Sequence, residues 1–399
     1  MVTLGREPPL SDAELRGQEM FRGLSTPEYL AWQQALLEKL YSGLEIASVF
    51  GRRYPTAILR PAAEQSYPFP GLCSLEERSL QELVLDPEQE LYLEMLGRSL
   101  RWPQMKGFAL KEIVVSRDGL ERMLRVVARV SNFEQNVATS HILEWELYRL
   151  YESHRIASGS DPRDDLLRKL PRWQRYHGER SEGAGVLKPN DAFPLLSVQA
   201  MVVFRDTSQH EPTWRVVLAK RSAHVVLKPG LFQFQPAGGF EVHDAEGDAA
   251  DAAIEANFDP LVALLREYAE ELFDVTEQPP SDTRDALSVL RHPSVVWLLG
   301  AIADGRAFIE YLGVAIDLPV LRHELSFLIV VEDPSFVAQN PIRGSWETRQ
   351  VSCPTLQELA PTIAGGTLHG SSAALLQLAL DNARFRELGL HELLPSDKV

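Results

Sequence analysis

Glu267, Glu270 and Glu271 sit close together in the segment Asp259–Phe273, which reads DPLVALLREYAEELF. Three carboxylates at this spacing are oxygen ligands suited to a hard divalent cation, Mg2+ or Mn2+, rather than to zinc, which prefers nitrogen and sulfur. An ion held there could bridge phosphate oxygens and activate a water molecule. Arg266 precedes Glu270 by one helical turn and can orient it through a charge-assisted hydrogen bond. An acidic helix face left to solvent has the same composition, so the surrounding sequence has to decide between the two.

The segment itself signals a helix. Asp259 suits the N-cap and Pro260 the first helical position. Leu261, Leu264, Leu265, Tyr268 and Leu272 form one apolar stripe that must pack on a sheet. The three glutamates fall on a separate arc about 100° wide. Like charges at i,i+4 cost roughly 0.2–0.5 kcal/mol per pair, a repulsion that a bound cation relieves. Strands to receive the stripe are expected at Val198–Phe204 and Trp214–Lys220, while Phe232 to Gln235 alternates like a half-buried strand and leads to Gly238-Gly239. Further strands are expected at Val295–Ala301, Phe308–Ala315 and Leu325–Val331, with a closing helix at Ser372–Asn382. The mixture predicts an α/β arrangement, helices packed on a mixed sheet.

Arg266-Glu267-Tyr268-Ala269-Glu270-Glu271 resembles the Arg-Glu-apolar-x-Glu-Glu core of the Nudix box. Pro236-Ala237-Gly238-Gly239 is similar to the strand-ending Pro-Gly-Gly turn of that family, and Val216–Arg221 and Pro229–Phe232 to the strand and loop leading into it. These features cover residues 195–335 in the family's order. The resemblance implies an α/β/α sandwich with a mixed sheet, and Mg2+ or Mn2+ held by Glu267, Glu270, Glu271 and a glycine carbonyl, for which Gly239 is taken. It also implies a catalytic part for Arg266 and close approach of substrate phosphates to Gly238 and Gly239. The activity it implies is hydrolysis of a nucleoside diphosphate linked to another group.

Three departures accompany the resemblance. Gly239 and Arg266 are separated by 26 residues, where the family has about a dozen. The insertion, Val242 to Phe258, carries Asp244, Glu246, Asp248, Asp251 and Glu255 without Lys or Arg, and reads as a solvated loop. It leaves both Glu241 and Glu246 as candidates for the motif's upstream glutamate. Phe273 stands where the family has a glycine ending the helix, which implies a different exit. Ala237 is an extra residue in the glycine turn and leaves open which glycine carbonyl faces the metal.

A general base outside the helix is sought among Glu310, Glu324 and Glu332, with Glu324 taken as the catalytic candidate. Lys220 and Arg221, at a strand end, are candidates for binding substrate phosphates. His141, His154 and His323 form no metal pair by spacing, and Gly370-Ser371-Ser372 reads first as a helix cap and second as an anion site.

The first half of the chain reads differently. A helix is expected from Thr26 to Leu44, then a proline-rich passage, and helical sequence from Leu75 to Trp102 broken near Asp86-Pro87. A hairpin of Ala109–Ser116 and Met123–Val130 follows, then helices at Asn132–His154 and Asp164–Leu170. The apolar pattern lapses between Tyr176 and Phe193, which sets a boundary near residue 190: an N-terminal α+β domain of no recognised family over 1–190 and the Nudix-like domain over 191–399. Arg168, Lys169, Arg172, Trp173, Arg175, Tyr176 and Arg180 interleave basic and aromatic residues, a composition that suits a linker or domain interface before it suits nucleic acid.

The formal net charge of −16 over 399 residues argues against nucleic acid or anionic membrane as a partner. Cys73 and Cys353 are the only cysteines, too few for a disulfide framework or a cysteine-rich zinc site. The start of the chain lacks a secretory pattern and no run reaches the roughly 20 apolar residues of a membrane helix. A cytoplasmic protein acting on a small nucleoside diphosphate derivative is therefore expected, with a homodimer open. The competing expectation is a weak or inactive Nudix-fold sensor that binds a nucleotide-like ligand; a diphosphate isomerase on the same fold lacks an identifiable acid–base pair.

Overall fold

The computed structural model of the chain describes residues 11–61, 65–69, 71–97, 106–118, 121–156, 169–177, 184–208, 211–221, 230–242, 250–274, 288–344, 348–364 and 368–394. Its first strands are β1 Glu45–Val49, β2 Arg52–Leu59, β3 Gln65–Ser66, β4 Cys73–Glu77, β5 Lys106–Asp118 and β6 Glu121–Asn132. There follow β7 Leu196–Asp206, β8 Thr213–Val216, β9 Leu218–Arg221, β10 Phe232–Phe234 and β11 Ala237–Gly239, then β12 Ala307–Asp317, β13 Arg322–Val331 and β14 Thr348–Ser352.

Alternation along β7 sorts the two faces of the main sheet. Val198, Ala200, Val202 and Phe204 join a core with Leu264, Leu265, Tyr268 and Leu272 of helix Pro260–Phe273. Met201 and Val203 join a second core with Ala374, Leu375, Leu378 and Ala379 of helix Gly370–Asp381 on the opposite face. The expected α/β/α layering is what results, and the apolar stripe read from Leu261 to Leu272 is the surface that docks. The sheet runs β1-β2-β12-β13-β7-β11, with β3 also on β12 and β8 on β7. It is mixed, since β13 and β7 are parallel while β12 and β13 are antiparallel. β12 is buried along its whole length, which explains its near-continuous apolar sequence.

Three expectations need correction. Val295–Ala301 is not a strand but lies in helix Pro293–Ala303, opened by Pro293 and burying Val295, Leu298 and Ala301 every third residue. A short apolar run has no period that separates the two states, and Val296, 53% exposed, marks the outer face. Leu75 also lies in a strand, β4, rather than a helix, and the helix begins only at Pro87, where Asp86 and Gln89 form a capping box. The expected strand Trp214–Lys220 is interrupted at Val217: β8 stays on β7, while β9 leaves to form a small sheet β10-β9-β14. Most of the helix expected at Asp164–Leu170, and the residues Arg168, Arg180, Pro229 and Glu246, lie outside the described residues.

The first half supplies a three-stranded sheet, β4-β6-β5, containing the expected hairpin. It also supplies β1, β2 and β3 to the main sheet, so that sheet draws on both sides of residue 190. Leu36, Phe108 and Leu143 share one buried cluster with Leu264 and Leu325. Trp173 and Tyr176 are interior, and Arg172 pairs with Asp86 and Glu88. In its described part the basic and aromatic stretch thus combines core aromatics, Trp173 and Tyr176, with exposed Lys169 and Arg175. No described helix is long and apolar enough to cross a membrane.

Candidate metal and substrate site

Carboxylates reach the three-residue strand β11 from more than one side. Its Ala237 N–H donates to Glu271 Oε2 at 2.5 Å. An added Cβ on Gly238 would stand 2.0 Å from the carboxylate of Glu267. An added Cβ on Gly239 would meet Glu241 Oε1 at 2.9 Å. Glycine at 238, with no positive φ, lets Glu267 rest directly on the strand, its carboxylate filling the space where a side chain would lie. The register fixes this: Gly238 pairs with Val198, whose side chain faces helix Pro260–Phe273, while Ala237 and Gly239 turn to the other face.

Asp259 caps that helix through its carboxylate, accepting from Leu261 N at 2.7 Å. Glu267 and Glu270 are half-buried, whereas Glu271 and Arg266 are buried. Arg266 donates from Nη2 to Asn257 Oδ1 at 2.9 Å. Asn257 ends helix Ala250–Asn257, and Ile254 of the same helix lies in the core. The described end of the insertion is thus structured and braces the motif's arginine, a correction to the solvated loop expected there. Phe273 is accommodated as the last helical residue, with its ring against Tyr268 and His292, and the left-handed exit moves to Asp274 at φ 55°.

Of the two upstream candidates, Glu246 lies outside the described residues and Glu241 is described. Main-chain bonds from Phe108 N to Phe240 O and from Val242 N to Lys106 O, at 3.0 and 2.8 Å, clamp its segment against β5. The first half of the chain thereby holds the segment that carries Glu241.

On the far side of Ala237 lies a small pocket lined by Arg221, Gln233, Asp317, Arg322, Glu324 and His369. Val320, and His141 and Glu144 from the first half, also line it. Arg221 and Lys220 part company here, because neighbours on a strand face opposite ways. Arg221 lines the pocket and donates to Gln233, whereas Lys220 lies over the ring of Phe232.

The three candidate bases separate clearly. Glu310 accepts from Asn382 Nδ2 at 2.7 Å and lies 3.7 Å from Arg384, a structural engagement. Glu332 is half-buried and does not line the pocket. Glu324 lines the pocket, 3% exposed, with Oε2 buried and lacking a hydrogen-bond partner. Burial raises its carboxyl above the usual carboxylate range, against the opposing pull of Arg322, whose Nε is 3.6 Å away. His323 beside it is structural: its Nε2 donates to Val186 O at 2.9 Å and burial pushes its imidazole down to about 4.

His141, Glu144, Asp317, Arg322 and His369 were not singled out as site residues by sequence spacing. His141 closes a π-helical turn, Val137–His141, a feature frequent at functional sites but carrying no sequence signature. The Gly370-Ser371-Ser372 segment proves to be capped by His369, whose side chain accepts from Ser371 N.

Among the described residues no three His, Cys, Asp or Glu groups stand ready at ligand spacing. The donor chemistry nevertheless fits a hard cation: every candidate is a carboxylate or backbone oxygen, and the missing side chain of Gly238 leaves Glu267 lying directly on the strand.

No protein-family model and no curated protein matches this chain. Among solved structures it is similar to a bifunctional NMN adenylyltransferase/ADP ribose pyrophosphatase from Francisella tularensis, at 13% identity over 62% of this chain, with a TM-score of 0.28. The same values hold for that protein complexed with AMP and Mn ion. The chain spans 48% of the length of these proteins. It is also similar to a MutT/nudix family protein from Enterococcus faecalis, at 14% identity over 50% of this chain and 57% of that one, TM-score 0.22. Scores below 0.5 carry no weight, so the functional reading rests on the site's own geometry.

Proposed function

We propose that this protein is a metal-dependent pyrophosphohydrolase that cleaves a nucleoside diphosphate linked to another group. The observation that carries the reading is that Glu267 and Glu271 of one helix both reach β11, at Gly238 and at the Ala237 N–H. Glu267, Glu270 and Glu271, with the backbone of Gly239, would hold Mg2+ or Mn2+, which when bound neutralises phosphate charge and lowers the pKa of a water molecule. Arg221 would bind a phosphate through its guanidinium. Glu324 would accept the proton of the attacking water, and its seclusion from solvent makes it a stronger base than an exposed carboxylate. Arg266 positions the helix through Asn257 and takes no proton.

The test is release of phosphate or nucleotide from ADP-ribose, dinucleoside polyphosphates, NADH, nucleotide sugars and nucleoside triphosphates, with Mg2+ or Mn2+. Turnover of at least one class, reduced about 10²–10³-fold in Glu270→Gln, is the expected result. No turnover of any compound, with saturable binding by calorimetry, would replace this reading with that of a nucleotide sensor.

A further inference from the structure

The insertion between β11 and helix Pro260–Phe273 ends on a buried amide. Asn257 is fully buried, and both ends of its side chain are used: Oδ1 accepts from Arg266 Nη2 at 2.9 Å, and Nδ2 donates to Ala253 O at 2.8 Å. The orientation is forced, because a guanidinium has no acceptor and a carbonyl no donor. An apolar side chain would fill such a space without a cost of desolvation, so the amide calls for a reason.

The reason lies in Arg266. Its guanidinium is buried on the helix that carries Glu267, Glu270 and Glu271, and Glu270 stands one turn further along. A buried cation short of acceptors draws the nearest carboxylate to itself, and a carboxylate so drawn is withheld from a metal ion. Asn257 offers a neutral acceptor from outside the helix, so one terminal nitrogen of the guanidinium is satisfied without using a metal carboxylate.

The amide serves in this way because it is held. Ile254 lies in the core, and Phe258 N donates to Ile254 O at 3.1 Å. The Phe258 ring stacks on Phe240 at 5.4 Å and meets Phe108 of β5 edge-on at 4.8 Å. Phe108 belongs to the first half of the chain, which therefore braces the end of the insertion. We propose that Asn257 is a positioning residue of the metal site: it takes up the Arg266 guanidinium and so leaves the carboxylates of Glu267, Glu270 and Glu271 to the cation. The proposal rests on the metal reading of that helix face and gives the insertion a task in it.

Mn2+ titration followed by electron paramagnetic resonance tests it on the full chain, at a temperature where circular dichroism shows each variant folded. Asn257→Leu should weaken Mn2+ binding about tenfold, whereas Asn257→Asp, which keeps the acceptor for Arg266 and loses the donor to Ala253, should stay within about threefold of the wild type. The loss should vanish without the guanidinium: Asn257→Leu added to Arg266→Met should bind Mn2+ as Arg266→Met alone does. An amide that only holds the insertion together gives the opposite pattern, a loss equal in Asn257→Leu and Asn257→Asp and persisting without Arg266. Either of those findings would overturn the proposal, as would wild-type binding by Asn257→Leu. Glu267→Gln, measured alongside, separates the two readings. Weakened binding in Glu267→Gln with none in Asn257→Leu removes only the part given to Asn257, whereas unchanged binding in Glu267→Gln, or no binding by the wild type, removes the metal reading and this proposal with it.

Discussion

Gly238→Ala should reduce metal-dependent turnover by about 10²-fold while the chain remains folded. The added Cβ would lie 2.0 Å from the Glu267 carboxylate, so the carboxylate must retreat by about 1 Å or more, the scale of displacement that costs two orders of magnitude at a reacting centre. The obstructing atoms belong to the end of a flexible side chain rather than to backbone, so the strain relaxes by moving the ligand and not the fold. Gly300→Ala is the matching control. It lies in helix Pro293–Ala303, where an added Cβ meets nothing within 4 Å, and it should leave turnover unchanged and raise stability by about 0.4–1 kcal/mol. Thermal unfolding and steady-state kinetics on both variants check the prediction. A Gly238→Ala protein of wild-type activity would mean that Glu267 does not act from where it rests on β11.

Glu324→Gln should lower the plateau of kcat/KM by about 10²–10⁴-fold and abolish the acid limb of its pH profile. In the wild type that limb should have its midpoint above the ordinary carboxylate range, because burial raises the Glu324 carboxyl. The same shift makes a stability prediction of opposite slope. The folded state binds this proton more tightly than the unfolded chain does, so the group's contribution to stability is fullest at low pH and is lost as pH rises from the unfolded value through the raised folded one. Glu324→Gln should therefore be more stable relative to wild type at pH 8 than at pH 4, as chemical denaturation at the two pH values would show. An unchanged pH profile in the variant would assign the proton transfer to another group.

The parts of this site legible in the sequence are those set by local periodicity. Asp259, Pro260 and the stripe from Leu261 to Leu272 mark a helix, its start and its buried face, and the glutamates follow by angle alone. The pairing of that helix with Gly238 was expected only through the family resemblance, because the contact bridges 28 positions. Lys220 and Arg221 were indistinguishable as adjacent basic residues until β9 gave each a side. The run Val295–Ala301 misled because burial on one face of a short helix and burial in a strand both favour uninterrupted apolar residues. His141 and Glu144 were out of reach for a different reason. They lie about 90 positions before β11 and enter the pocket only because β5, from the same half, pairs with the segment around Phe240. Long-range main-chain pairing of that kind leaves no periodic trace in either segment.

The central claim is that one helix face of this protein holds a divalent cation against β11, and Mn2+ titration followed by electron paramagnetic resonance addresses it without any assumption about substrate. Saturable binding to the wild type, weakened at least about tenfold in Glu267→Gln and in Glu270→Gln with unfolding temperatures unchanged, is the predicted result. Equal binding by the wild type and both variants, or none by the wild type, would contradict it.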